Sequence, residues 1–175
     1  KIMSEAFQIR GGKKLHGEIT PQGAKNEALQ ILCAVLLTDE EVRIKNIPDI
    51  HDVNRLIEIL GDFGVKITKN AHGDYTFKAD QVNFDYIKSK EFKKDGAKLR
   101  GSIMILGPML ARFGEAYMPT PGGDKIGRRR LDTHFQGFVE LGAEFHYDET
   151  EYFYTLKAKE LRGKFILLEE ASVTG

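Results

Sequence analysis

The chain has one cysteine, five prolines and no tryptophan among its 175 residues. A single cysteine, Cys33, excludes a disulfide-built scaffold and a zinc site made of cysteines. Long apolar runs are also lacking: none approaches the ~18 residues that a membrane span requires. The opening Lys1-Ile2-Met3-Ser4-Glu5 has no secretory apolar region. Neither sign of charge is in excess, 26 Lys+Arg facing 26 Asp+Glu, which excludes a globally basic nucleic-acid binder and an acidic tail protein. What is present is 41% apolar residue, enough for a core at this length. These features describe a soluble, cytoplasmic, globular chain of about one domain. Residue 1 is Lys, and the small residues Ser172-Val173-Thr174-Gly175 come soon after the apolar Phe165-Ile166-Leu167-Leu168. A strand running into a loop with no element after it leads us to expect a fragment.

The chain repeats itself. DVNRLIEILGDFGVKI around Asp52 returns as RLDTHFQGFVELGAEF around Asp132, with Gly64 and Gly142 78 residues apart. In that alignment Val53, Leu56, Leu60 and Phe63 fall on Leu131, His134, Phe138 and Leu141. Their spacing of three, four and three is the apolar stripe of an amphipathic helix, and each glycine stands where a helix C-terminal glycine belongs. Tyr75–Ala79 and Tyr154–Ala158 follow as alternating strands. Upstream, Gly23-Ala24-Lys25-Asn26 opens an apolar helix through Leu29, Leu32, Val35 and Leu36. Leu99-Arg100-Gly101-Ser102 opens another through Ile103, Leu106, Met109 and Leu110, with Lys25 and Arg100 75 residues apart. Short strands follow at Val42–Ile47 and Glu115–Pro119. Each unit reads strand, helix, strand, helix, strand, strand. Two copies fill most of the chain, and Lys164–Leu168 would begin a third. Lys88–Lys98 reads as a solvated connector or short strand. The fold class is α/β with internal pseudosymmetry, and such units usually need about three copies to bury their faces.

Two constellations could carry chemistry. Pro119–His134 holds two prolines and three glycines, then Arg128-Arg129-Arg130 leading into a helix start with Asp132 and His134. Backbone N–H groups at a helix start beside arginine forks suit an anion; a solvated basic loop is the alternative. Gly122–Gly127 has P-loop spacing, but Arg128-Arg129 stand where Lys-Ser/Thr is required, so it is no triphosphate loop. Lys25 and Arg100 occupy equivalent helix starts, where a cation opposes the dipole. Either a phosphate or carboxylate answers them, with Asn26 beside it, or they are solvated side chains. Cys33 on an apolar helix face reads as a core thiol. His16, His51, His72, His134 and His146 show no metal spacing, His72 falling in a turn and His146 in a strand. No nucleophile signature is present.

Three segments together, GGKKLHGEITPQGAKNEALQIL, LRGSIMILGPMLARFG and PGGDKIGRRRLDTHFQGFVELGA, resemble the UDP-N-acetylglucosamine 1-carboxyvinyltransferases, the enolpyruvyl transferases that open peptidoglycan synthesis. The resemblance runs from Phe7 to Gly175. It implies two similar domains in a chain more than twice this length, each of three βαβαββ units packed as an inside-out α/β barrel with the active site between them. Residues 1–20 would then belong to the second domain, and residues 21–175 would form about two of the three repeats of the first. On the same resemblance Lys25 contacts phosphoenolpyruvate, with Asn26 on the substrates. Arg100 and Arg129 hold the donor's phosphate and carboxylate. Arg130, Leu131, Asp132, Thr133 and His134 line the uridine end of UDP-N-acetylglucosamine, and Glu170, Ala171, Ser172 and Val173 meet its diphosphate. Arg130 replaces a common proline and Glu170 a frequent lysine.

Asp124 stands at the loop tip, where most of the family has the cysteine that is both general acid and target of fosfomycin. A minority of members carry aspartate. An unperturbed aspartate, pKa about 3.9, is under ~0.1% protonated at pH 7, so loop closure, desolvation or the neighbouring phosphate must raise it against the arginines. The resemblance implies no metal or organic cofactor, a full-length monomer, a catalytic base beyond this chain, and fosfomycin insensitivity. This stretch alone would be inactive. Three alternatives stand beside it. One is the sister 3-phosphoshikimate 1-carboxyvinyltransferase, and another a non-catalytic nucleotide-sugar-binding homologue. The third, a nucleic-acid module on Arg128–Arg130, is disfavoured by the neutral net charge.

Overall fold

A computed structural model describes residues 8–97, 100–120 and 131–168, with the backbone alone at Arg100. Helix α1 (Lys25–Ala34) runs into a 3-10 turn at Val35–Leu37, and strand β1 (Glu41–Ile44) follows. Helix α2 (His51–Asp62) then leads to the hairpin β2 (Lys66–Ala71) and β3 (Asp74–Lys78). Two short helices come next, α3 (Phe84–Ile87) and α4 (Lys90–Gly96). A 3-10 stretch at Arg100–Ile105 continues as α5 (Leu106–Phe113), and β4 (Glu115–Pro119), α6 (Asp132–Glu140), β5 (Glu144–Asp148) and β6 (Phe153–Lys157) follow among the described residues.

The repeat is real in three dimensions. Each copy builds a three-stranded antiparallel sheet with its last strand in the middle, β1-β3-β2 and β4-β6-β5. The registers correspond: Glu41 and Lys66 flank Lys78 in the first sheet, and Glu115 and Glu144 flank Lys157 in the second. Even the helix endings match. Val65 N–H donates to the Leu60 carbonyl at 3.0 Å and Gly64 N–H to Gly61 at 2.9 Å, while Ala143 donates to Phe138 at 3.0 Å and Gly142 to Val139 at 2.9 Å. Gly64 and Gly142 take φ of 92° and 106°, the left-handed conformation that lets the chain turn out of the helix and into the sheet. One position breaks the pattern. The first hairpin turns through Gly73 at φ 66°, and the second through Tyr152 at φ 52°, a side chain held where glycine is preferred.

The stripe of α2 is fully buried, Val53, Leu56, Leu60 and Phe63 all in the core. Its counterpart on α6 is shifted by one residue: Phe135 is buried and His134 exposed. The physical reason is the aromatic layer beneath, where Phe135 lies 4.6 Å from the rings of both Phe145 and Tyr154. Three further expectations are corrected. Lys88–Lys98 is not a connector or strand: α4 fills most of it, its start capped by Ser89 Oγ accepting from Phe92 N–H at 3.2 Å. Phe92 drives the folding there, buried 4.9 Å from the Phe63 ring. The strand foreseen at the head of each unit is absent from residues 8–24, and Lys164–Leu168 forms no strand among the described residues. A strand needs an edge to pair with, and Phe165 is 91% exposed.

The two units are pinned together by Arg112. From the last turn of α5 its guanidinium donates to the carbonyls of Leu36 at 3.1 Å, Thr38 at 2.9 Å and Ala79 at 2.8 Å, all in the first unit. The cation thus caps the negative end of the α1 segment and the exit of β3 at once.

Candidate functional site

The residues of interest gather at helix starts. Lys25 and Asn26 are the first two residues of α1, both exposed. The preceding Ala24 is extended and supplies no side-chain cap, which leaves the first amide groups of the helix to solvent or an anion. The approach to this start is tight. A Cβ on Gly23 would stand 2.0 Å from the Asn46 carbonyl oxygen, so only glycine lets the entering chain lie against that loop. Asn46 itself turns at φ 60°. Beside it Thr20, Pro48 and His72 help to line a small cleft of about 180 Å³.

Lys25 is not simply solvated. Its ammonium ion-pairs with the Asp52 carboxylate, from the first turn of α2. The two groups sit in opposite fields, since a carboxylate is favoured at a helix N-terminus and an ammonium is not. Asp52 therefore offsets the penalty that the position imposes on Lys25. The sequence reading missed Asp52, which lies 27 residues away on another helix. The repeat held the only signal: 78 residues on, Asp52 becomes Arg130, a reversal of charge.

Arg100 arrives beside the same helix through its neighbour. A Cβ on Gly101 would lie 3.1 Å from Leu29 Cδ1, one turn along α1 from Lys25, so the backbone at Arg100 is held against the first unit. Leu131, Asp132, Thr133 and His134 form the start of α6. Leu131 and Thr133 are half-buried, Asp132 and His134 exposed. Their helix rests on its own sheet through Phe135, and its Phe138 ring faces Gly107 of α5. Asp124, Arg129, Arg130, Glu170, Ala171, Ser172 and Val173 lie outside the described residues. Lys25 and Asn26 thus open α1, the stretch that begins at Arg100 packs on that helix one turn further along at Leu29, and Leu131–His134 are carried by the second unit.

Cys33 is buried as foreseen, and desolvation pushes its thiol up to about 12. His72 lies in the first hairpin's turn and His146 in β5. Among the described residues no group of three His, Cys, Asp or Glu side chains converges on a metal position, and no helix is long and apolar enough to cross a membrane.

A family model described as EPSP synthase (3-phosphoshikimate 1-carboxyvinyltransferase) matches residues 9–174. The chain belongs to that family. Within it, the chain is 56% identical over 170 residues to the UDP-N-acetylglucosamine 1-carboxyvinyltransferase of Bacteroides thetaiotaomicron, covering 97% of this chain and 39% of that protein. The protein of the same name from Porphyromonas gingivalis is 54% identical over the same shares. The chain therefore spans about two-fifths of the length of the curated relatives it matches. Among solved structures, the enolpyruvyl transferase NikO from Streptomyces tendae superposes with a TM-score of 0.68 at 20% identity, over 87% of this chain and 32% of NikO. EPSP synthase from Acinetobacter baumannii gives 0.63 at 16% identity, over 90% and 35%. The fold is that of the enolpyruvyl transferases, in part: two βα units, each closed by an antiparallel sheet.

Proposed function

We propose that the full-length polypeptide carrying this chain transfers the enolpyruvyl group of phosphoenolpyruvate to the 3-hydroxyl of UDP-N-acetylglucosamine, releasing phosphate. The observation that carries this reading is identity above one half, over nearly the whole chain, to enzymes named for that reaction. The phosphoshikimate enzymes are alike in fold at 16% identity, which favours the nucleotide sugar as acceptor. In this reading residues 1–20 belong to the second domain and residues 21–175 to two of the three units of the first. The protein works as a cytoplasmic monomer in cell-wall synthesis and so serves cell shape and division. It uses no cofactor.

The chemistry needs anion binding and proton transfer. Lys25, Arg100 and Arg129 bind the donor's phosphate and carboxylate. Asn26, Arg130–His134 and Glu170–Val173 hold the nucleotide sugar. Asp124, in its protonated form, gives a proton to the methylene carbon of the donor. The sugar hydroxyl then bonds to the adjacent carbon as its proton passes to a base that lies beyond this chain. The same methyl group loses a proton as the bond to phosphate breaks, restoring the double bond. Carboxylates open epoxides far less readily than thiolates, and Cys33 is sealed in the core, so the enzyme is insensitive to fosfomycin.

Phosphate release by the full-length polypeptide tests this. Release that requires both phosphoenolpyruvate and UDP-N-acetylglucosamine, and that continues with fosfomycin, is the expected result. Asp124→Cys should then become sensitive. No release from a folded protein that still binds the nucleotide sugar would overturn the reading in favour of a binding protein, the alternative that Asp124 in the place of a cysteine raises.

A further inference from the structure

The Lys25–Asp52 pair joins the starts of two helices, and its two members do different work. Lys25 is the first residue of α1, whose start has no side-chain cap. Its side chain, 49% exposed, has four rotatable bonds and a helix dipole that repels it. Left alone, such an ammonium would spread over many positions in water. Asp52 is the acidic residue in the first turn of α2, where the dipole of its own helix favours a carboxylate. The contact ties a cation disfavoured at its helix start to an anion favoured at its own. The second unit is built otherwise. At the corresponding repeat positions it has Arg100 and Arg130, and the acidic residue in the first turn of its helix α6 is Asp132. The first unit's cation is thus paired by the protein itself.

We infer that Asp52 is a positioning residue, which acts on the donor only through Lys25, by holding its ammonium at the start of α1. The inference rests on the transferase reading, in which Lys25 touches phosphoenolpyruvate. Both partners are over one-third exposed, so the pair contributes little to folding, and its loss leaves the fold standing.

The test uses the full-length polypeptide. Initial rates of phosphate release are measured against phosphoenolpyruvate and against UDP-N-acetylglucosamine for the wild type, Asp52→Asn and Asp52→Glu. Equilibrium binding of phosphoenolpyruvate alone is measured for the same proteins, for Lys25→Ala and for Lys25→Ala/Asp52→Asn. Asp52→Asn should raise KM for phosphoenolpyruvate about tenfold, within the range for residues in direct contact. KM for the nucleotide sugar should stay within about twofold, and Asp52→Glu should recover most of the loss. In the Lys25→Ala background, Asp52→Asn should not weaken donor binding further. An Asp52→Asn enzyme with wild-type KM overturns the inference while leaving the transferase reading intact. An equal loss of binding in both backgrounds also overturns it, because that is the mark of a structural role. No release from the wild type overturns the transferase reading and this inference with it.

Discussion

The two repeat glycines provide a test in which one substitution acts as the control for the other. Gly64 and Gly142 have the same role, nearly the same φ and the same pair of closing hydrogen bonds. They differ in surroundings. A Cβ on Gly64 would lie 2.5 Å from the Gln81 carbonyl oxygen, whereas on Gly142 it would lie 3.4 Å from the Glu160 carbonyl oxygen. Both alanine variants incur the left-handed penalty, about 1–2 kcal/mol. Gly64→Ala must also move backbone by most of an ångström, the overpacking situation that costs about 1–3 kcal/mol. We therefore expect losses of about 1–2 kcal/mol for Gly142→Ala and about 2–5 kcal/mol for Gly64→Ala. Urea unfolding followed by circular dichroism reads the difference. With a slope of ~2 kcal/mol/M the midpoints should fall by roughly 0.5–1 M and 1–2.5 M. Equal midpoints would refute the reasoning, since the conformational term is shared and only the contact with Gln81 separates the two.

The other predictions use the same logic of contact and burial. Gly23→Ala would set a Cβ 2.0 Å from the Asn46 oxygen. It should displace the start of α1 and lower phosphate release by the full-length polypeptide about 100-fold, as an ångström-scale misplacement does; wild-type rates would contradict it. Arg112→Met removes three hydrogen bonds to carbonyls of the first unit and should cost about 2–4 kcal/mol; a urea midpoint within 0.2 M of wild type, on the order of experimental error, would count against the clamp. Cys33, with its thiol pushed up to about 12, should resist maleimide at pH 8 in the folded chain and react in denaturant. Rapid labelling of the folded chain would show that the core is open.

Much of the fold was legible because the repeat doubles every signal. The stripe from Val53 to Phe63, the two terminal glycines and the paired hairpins were each visible twice, so α1, α2, α6 and the central strands β3 and β6 came out within a residue or two, while the helix expected to open at Leu99-Arg100 starts as a 3-10 stretch and becomes α-helical only at Leu106. The errors arose where one copy departs from the other. His134 was set inward by alignment with Leu56, but the Phe145 and Tyr154 rings select Phe135. The α4 helix was hidden by lysines, although Ser89 at its start and Phe92 within its first turn are the ordinary marks of a capped helix. Lys164–Leu168 has a strand's sequence, but pairing is a property of two segments, and no partner strand lies beside it among the described residues. At the candidate site, the place of Lys25 at the start of α1 was legible in the sequence. Asp52 was not, because an ion pair between two helix starts leaves no local spacing to read.

The Arg112 clamp also depends on the order of the chain. Its three acceptors belong to Leu36, Thr38 and Ala79, so they converge only after the α1 segment has met the end of β3. Leu36 and Thr38 lie two residues apart and supply two acceptors from one segment, and the third, Ala79, joins them only when the end of β3 is in place. Synthesis delivers the chain in that direction, N-terminal half first. The growing polypeptide thus makes all three carbonyls before Arg112, and the clamp closes on acceptors that are already synthesised.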